Sequence, residues 1–301
     1  MSRRIVLVGG SGMLGSRVSA HLQKMGYEVV NVSRSGKSAA GARGVGYEHL
    51  GTAVDGALAV VNLAGANIGE KRWTNARRRE LTRSRLEPTR AVVQAILDSA
   101  VRGNLTPPVL VNLSGISYYG NTTTPSNEGM GQGKTFLAQL SAWWEAEARK
   151  AEDATTVVIL RMAPVLELSG GPLGKLLPLV RSFLGGVLGS GNQYMPWIHV
   201  DDAVQAIVWA ATSGSAYGVY NVTAPEMITM REFVHAVGQA THRLIWLRVP
   251  QPLLYLALGT MADTVDDSTA AYPMRLLGSG FSFAHPAIGE AVRHLVSAQK
   301  L

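Results

Sequence analysis

Gly9, Gly12 and Gly15 stand three residues apart, directly after the apolar run Ile5-Val6-Leu7-Val8. In that setting the first glycine permits a tight turn, the second lets backbone approach a pyrophosphate, and the third allows close helix packing. The N–H groups that open the following helix would face the phosphates. The chemistry read from Gly9, Ser11, Gly12, Met13, Leu14 and Gly15 is therefore dinucleotide binding. The next strand ends at Val32-Ser33-Arg34, with no acidic residue to accept ribose hydroxyls. Arg34 can instead pair with a 2′-phosphate and Ser33 can donate a second hydrogen bond, which selects NADP(H). A third group, Ser114, Tyr118 and Tyr119, lies where a strand of a doubly wound sheet would end and substrate would sit. Ser114 would orient a carbonyl, and Tyr118 or Tyr119 would supply its proton. Capping and packing account for His199 in Trp197-Ile198-His199-Val200-Asp201-Asp202, with Asp201 or Asp202 as the helix N-cap.

These residues need a scaffold, and hydrophobic periodicity supplies it. Ile5 to Val8 reads as a strand buried on both faces, Ser16 to Met25 as a helix closed by Gly26, and Tyr27 to Val32 as the second strand. That completes a β-α-β unit. A short strand is expected near Val45 to Tyr47, and a buried one from Ala57 into the small residues Ala64 and Gly65. A basic helix follows over Asn75 to Val101, kinked or interrupted at Pro88. Pro107 to Asn112 is the next strand, 121–133 a polar loop, and Lys134 to Glu152 a helix. Phe136, Leu137, Leu140, Trp143 and Trp144 form that helix's apolar face. Further strands are read at Thr155 to Arg161 and Gly218 to Val222, and helices at Ala203 to Ala211, Thr229 to Thr241 and Ala287 to Ala298. The glycine-dense stretches 169–178 and 184–191 read as a substrate-contacting excursion.

The fold class is α/β: a Rossmann-type doubly wound parallel sheet with a small C-terminal substrate lobe. Residues 1–165, completed by about 201–222, form the NADP-binding domain; 166–200 and 223–301 form the substrate lobe. Composition agrees with a packed globular protein, since 47% of the 301 residues are hydrophobic and 16% are charged. Cysteine is absent, which excludes disulfides, a thiol nucleophile and a thiolate metal site; no metal site of any kind is read. No uninterrupted apolar stretch suits a membrane span and no targeting segment precedes the first strand, so a cytoplasmic location is expected. The net charge of +7 owes much to Lys71, Arg72, Arg77, Arg78, Arg79, Arg83, Arg85 and Arg90. Without interleaved aromatics this run reads as a solvated helical face and not as a nucleic-acid site.

Taken in order, the glycine loop, Ser33-Arg34, Asn62-Leu63-Ala64-Gly65, Lys71-Arg72-Trp73, Ser84-Arg85, Tyr118-Tyr119-Gly120, Gly170-Gly171, Leu188-Gly189-Ser190-Gly191 and Trp197-Ile198-His199 resemble one family. It is the epimerase family of atypical short-chain dehydrogenases/reductases, whose bacterial members are often labelled sugar nucleotide epimerases or SulA-like proteins. Arg248-Val249-Pro250, Pro273-Met274-Arg275-Leu276-Leu277 and Gly280-Phe281-Ser282-Phe283 resemble that family's C-terminal domain of unknown function. The resemblance implies an NADP(H) site that includes Ser33, Arg34, Leu63, Ala64, Gly65, Glu80, Arg85 and Val165. It also exposes a departure. The Tyr-x-x-x-Lys pair usual in short-chain dehydrogenases is missing, and its two positions fall on Leu137 and Ser141 when Glu145 is aligned with the glutamate that commonly follows. Two functions stay open: an NADP(H)-dependent oxidoreductase or epimerase-like enzyme acting on a small carbonyl or sugar-like substrate, or a non-catalytic NADP(H)-binding regulatory protein.

Overall fold

The structure is a computed structural model that describes residues 3–38, 41–103, 108–262, 264 and 267–298. In chain order its strands are β1 (Arg4–Val8), β2 (Glu28–Val32), β3 (Arg43–Val45), β4 (Ala59–Asn62), β5 (Val109–Gly115), β6 (Thr122–Ser126), β7 (Val157–Met162), β8 (Val165–Leu166), β9 (Gly186–Leu188), β10 (Ile198–His199), β11 (Gly218–Val222), β12 (Leu247–Val249) and β13 (Thr269–Ala271). The principal helices are α1 (Met13–Lys24), α2 (Leu50–Val54), α3 (Asn75–Val101), α4 (Phe136–Arg149), α5 (Gly171–Arg181), α6 (Val200–Thr212), α7 (Met230–Thr241) and α8 (Gln251–Leu258), followed by Met274–Gly278 and Ile288–Ala298.

Seven strands form one parallel sheet in the order β11-β7-β5-β4-β1-β2-β3. Helices cover both faces, which is why β1 has no polar side. Ile5 and Leu7 face a layer holding Val18 and Leu22 of α1 with Val204 and Ile207 of α6. Val6 and Val8 face Val92, Val93 and Ile96 of α3. Sequence order reverses between β1 and β4, so a crevice opens at their carboxyl ends. Three pairs lie outside this sheet: β8 with β10, β9 with β12, and β6 with β13. Among the described residues, no helix is long and apolar enough to cross a membrane.

Several elements differ from expectation, each for a physical reason. The helix α3 runs unbroken through Pro88, held along its length against the sheet and α4. Strand β5 extends beyond Asn112 to Gly115, which puts Ser114 inside the strand; Pro107 lies outside the described residues. The stretch 121–133 is not all loop, because Thr122–Ser126 finds a partner in β13 almost 150 residues away. Part of the glycine-dense excursion is the helix α5. Trp143 is 44% exposed, whereas Leu137, Leu140, Trp144 and Ala148 are buried. Spacings of three and four define that buried stripe, and Trp143 sits one position around the helix from it. The N-cap of α6 is His199 and neither aspartate: its Nδ1 accepts the Asp201 N–H at 3.1 Å. Asp202 is instead turned inward, accepting the N–H groups of Ala284 and His285 at 2.7 and 3.0 Å.

Candidate active site

The glycine loop joins β1 to α1 at the crevice. Gly9 has φ +81°, and a Cβ there would stand 3.0 Å from the Ala64 backbone. The turn after β1 thus lies directly against the loop after β4. A Cβ on Gly15 would stand 2.6 Å from Gly10 Cα, so α1 can pack this closely only with glycine. Gly12 is the N-cap of α1 and supplies no side-chain cap, and the first turn carries no acid. A Cβ on Gly12 would meet only the Gly9 carbonyl, at 3.5 Å, which leaves its outer side open to a ligand. Met13 and Leu14 begin the helix, and Ser11 is exposed just before it. Gly10 was not singled out by spacing; a Cβ there would overlap the carboxamide of the buried Asn31.

Beyond β2, Arg34 is exposed and Ser33 is buried, with its hydroxyl donating to the Lys37 carbonyl at 3.0 Å. Ser33 therefore offers a lone pair in this state and no free proton. Glu80 lies close enough to Arg34 to feel its charge, although the Arg77 hydrogen bond is the main influence holding its carboxyl below the usual range.

The expected solvated face of α3 is only partly so, because Arg77 and Arg85 are 4% and 8% exposed. Arg85 donates to the carbonyls of Leu81 and Ala66 at 3.1 and 3.2 Å, and its guanidinium lies 5.2 Å from the Trp144 ring centre. Burial, with the nearby Arg77 charge, lowers its pKa to about 10, so it stays charged at neutral pH. It forms no ion pair among the described residues. A buried cation without a counterion is costly. Gly65 borders it, where a Cβ would stand 3.2 Å from the guanidinium carbon. An anionic group resting on Gly65 would supply the missing charge, so this corner fits a phosphate-bearing cofactor. A polar cluster holds the neighbouring loop: Asn62 Nδ2 donates to Thr89 Oγ1 at 2.8 Å and Asn112 Oδ1 at 2.7 Å, while Asn62 Oδ1 accepts the Ala64 N–H at 3.2 Å. Leu63 follows β4, donating its N–H to the Val8 carbonyl at 2.8 Å, and Val165 is buried in β8.

At the end of β5 the hydroxyl group becomes a network. Ser114 Oγ donates to Glu145 Oε1 at 2.8 Å. Arg161, on β7, grips both Glu145 oxygens at 2.8 and 2.9 Å and donates from Nη1 to the Tyr119 hydroxyl at 2.9 Å. Tyr119 in turn donates to Asn221 Oδ1 at 2.8 Å. Burial pushes the Tyr119 phenol up, so it stays protonated. Tyr118 is different. Its ring centre lies 3.4 Å from the Arg161 guanidinium carbon, and its hydroxyl has no protein partner among the described residues. Leu137 and Ser141 are both buried on α4, with Ser141 Oγ 3.1 Å from the Cβ that Gly115 lacks. Periodicity alone did not reveal Glu145, Arg161 and Asn221 as members of the network. Their signal was a polar or charged residue inside otherwise buried, apolar elements, at 3%, 3% and 0% exposure.

A doubly wound sheet with a glycine-turn crevice and a polar cluster at its strand ends defines a dinucleotide-binding α/β fold. Residues 5–223 match the model of the NAD dependent epimerase/dehydratase family, and 249–295 match that of a domain of unknown function, DUF1731. The chain belongs to this family. It is 35% identical over 301 residues to an epimerase family protein of Mycobacterium bovis, covering 96% of each chain. It is 31% identical over 300 residues to human epimerase family protein SDR39U1, covering 98% of this chain and all of the other. The crystal structure of the human protein with NADPH superposes with a TM-score of 0.89 at 31% identity, covering 98% and 99% of the two chains.

Proposed function

We propose that the protein is an NADP(H)-dependent oxidoreductase or epimerase-like enzyme acting on a carbonyl or sugar-like substrate, in the cytoplasm. The reading takes 1–165 with 201–222 as the cofactor domain and the remainder as the substrate lobe. The human relative solved with NADPH supports the choice of cofactor, as do exposed Arg34 beyond β2 and buried Arg85 beneath Gly65. The Gly9–Gly15 turn and the α1 N-terminus would hold the pyrophosphate, with Leu63, Ala64 and Val165 lining the cofactor and Glu80 fixing Arg77 beside it. Bound there, NADPH would supply a hydride.

The observation that carries the catalytic reading is the division of labour between the tyrosines. Tyr119 has both its proton and a lone pair committed to Asn221 and Arg161, whereas Tyr118 keeps its hydroxyl for a substrate. Tyr118 would donate the proton as the carbonyl oxygen gains charge. Ser114 gives its own proton to Glu145, so it does not donate to a substrate carbonyl and would instead position the substrate by accepting from one of its hydroxyl groups. Tyr119 positions Arg161. In the test, NADPH oxidation is followed with small carbonyl compounds, and stereoisomer formation is followed by chromatography with nucleotide sugars, because an epimerisation leaves the cofactor unchanged overall. General acid catalysis is worth roughly 100-fold or more, so Tyr118→Phe should lower kcat by that order with a smaller change in KM. Full activity in Ser114→Ala, Tyr118→Phe and Tyr119→Phe would remove the assignment. The second reading, a regulatory NADP(H)-binding protein, is favoured by Leu137 and Ser141 at the usual Tyr and Lys positions. It predicts NADPH binding without turnover of any of these compounds.

A further inference from the structure

A second cluster lies where the C-terminal helix Ile288–Ala298 meets the start of α6. His199, Asp201, His285 and His294 each place a ligand-type atom there, and all of these atoms lie within 4.8 Å of one another. His199 Nε2 is 3.1 Å from His294 Nδ1, while Asp201 Oδ2 is 3.6 Å from His199 Nδ1 and 3.8 Å from His285 Nε2. The ring centres of His199 and His285 stand 3.8 Å apart. We propose that these three histidines, with Asp201, form a binding site for a divalent transition-metal ion of the zinc class.

Nitrogen and oxygen ligands sit about 2.0–2.2 Å from zinc, which places neighbouring ligands of a tetrahedral site about 3.3–3.5 Å apart. With Nε2 as the His199 ligand, the separations of 3.1 Å to His294 Nδ1 and 3.8 Å from Asp201 Oδ2 to His285 Nε2 bracket that range. Three imidazoles and one carboxylate suit zinc, nickel, cobalt or copper and are a poor set for magnesium or calcium, which prefer oxygen. His199 is fully buried and fixed at the N-cap, whereas His285 is partly buried and His294 exposed, so the outer two rings can turn to close on an ion. Because His199 Nδ1 accepts the Asp201 N–H, the neutral ring carries its proton on Nε2 and donates it to His294. Coordination through Nε2 requires the other neutral tautomer, so the proton moves to Nδ1 and the hydrogen bond from the Asp201 N–H is given up. The ion would join residues 95 positions apart in sequence and pin the terminal helix to α6. It shares no residue with the Ser114–Tyr119 network and would be structural.

The test is zinc titration of the untagged, chelator-treated full chain, monitored by calorimetry and by thermal unfolding. The expected result is one equivalent of zinc bound and a raised Tm. His294→Ala, at an exposed helical position, should fold normally and lose affinity by on the order of 100-fold or more, given that even outer partners of a metal site are worth 10–100-fold. His235→Ala, outside the cluster, should leave both readouts unchanged. Cobalt should add the visible spectrum of a tetrahedral site. No stoichiometric binding, or equal binding by wild type and His294→Ala, would overturn the proposal.

Discussion

Arg34 and Arg85 show how placement decides what one side chain does. Exposed Arg34 loses little by lacking a partner, so its contribution would arise only when a phosphate arrives. Buried Arg85 carries its charge with no ion-pair partner among the described residues, so an anion placed beside it would offset a standing cost. A hydrogen bond to a charged group contributes about 1.5–3 kcal/mol, equivalent to roughly 10–100-fold in affinity. Arg34→Asp should therefore weaken NADPH by that order while leaving NADH nearly unchanged, measured as the ratio of the two Kd values by fluorescence titration. An unaltered ratio would take Arg34 out of the site. Glu145 and Arg161 form the opposite case, a fully paired buried couple in which removal of one member leaves the other stranded at about 3–5 kcal/mol. Arg34 was legible from the strand end and the missing acid. Nothing near Ser114 in sequence announced Glu145, 31 residues on.

The strand-turn-helix at the start of the chain separates packing from binding. A methyl on Gly15 would press on Gly10 Cα at 2.6 Å, and overpacking of this kind costs about 1–3 kcal/mol. A methyl on Gly12 meets only one carbonyl, at 3.5 Å. Gly15→Ala should therefore lower Tm, and Gly12→Ala should leave Tm nearly unchanged while weakening NADPH. Paired thermal melts and NADPH titrations check this, and equal effects of the two substitutions on Tm would refute the division of roles. The element itself was readable because a buried strand, spaced glycines and an amphipathic helix are all local patterns. By contrast, β6 has only five residues, and its partner β13 is too far along the chain for any local pattern to join them.

For the molecule as a whole, the C-terminal helix belongs to the core. Ile288, Val292, Leu295 and Val296 are buried at 7%, 0%, 5% and 4% exposure, in the same cluster as Phe233 and Val234 of α7. At about 1.5–3 kcal/mol per buried side chain this amounts to roughly 6–12 kcal/mol, an upper value. A typical domain is stable by only about 5–15 kcal/mol. Ending the chain after Ala284 should therefore abolish cooperative unfolding in circular dichroism; an unchanged Tm would show that the helix is dispensable. The net charge of +7 also changes meaning at this scale. Arg77 and Arg85 are interior groups, so the basic run is not a uniform surface stripe.

Sequence by itself determined the parallel α/β sheet, the glycine turn and the position of most helices, because these depend on periodicity and turn chemistry within a few residues. Only the tertiary structure decided which polar groups meet. It joined Ser114 to Glu145, Tyr119 to Asn221 and His199 to His294, drew Arg77 and Arg85 inside, and left the Tyr118 hydroxyl without a partner among the described residues. Those partners lie 31, 102 and 95 residues apart, and a hydrogen bond across such distances leaves no repeating signature in the chain. It exists only once the hydrophobic layers have brought the strand ends and helix termini together.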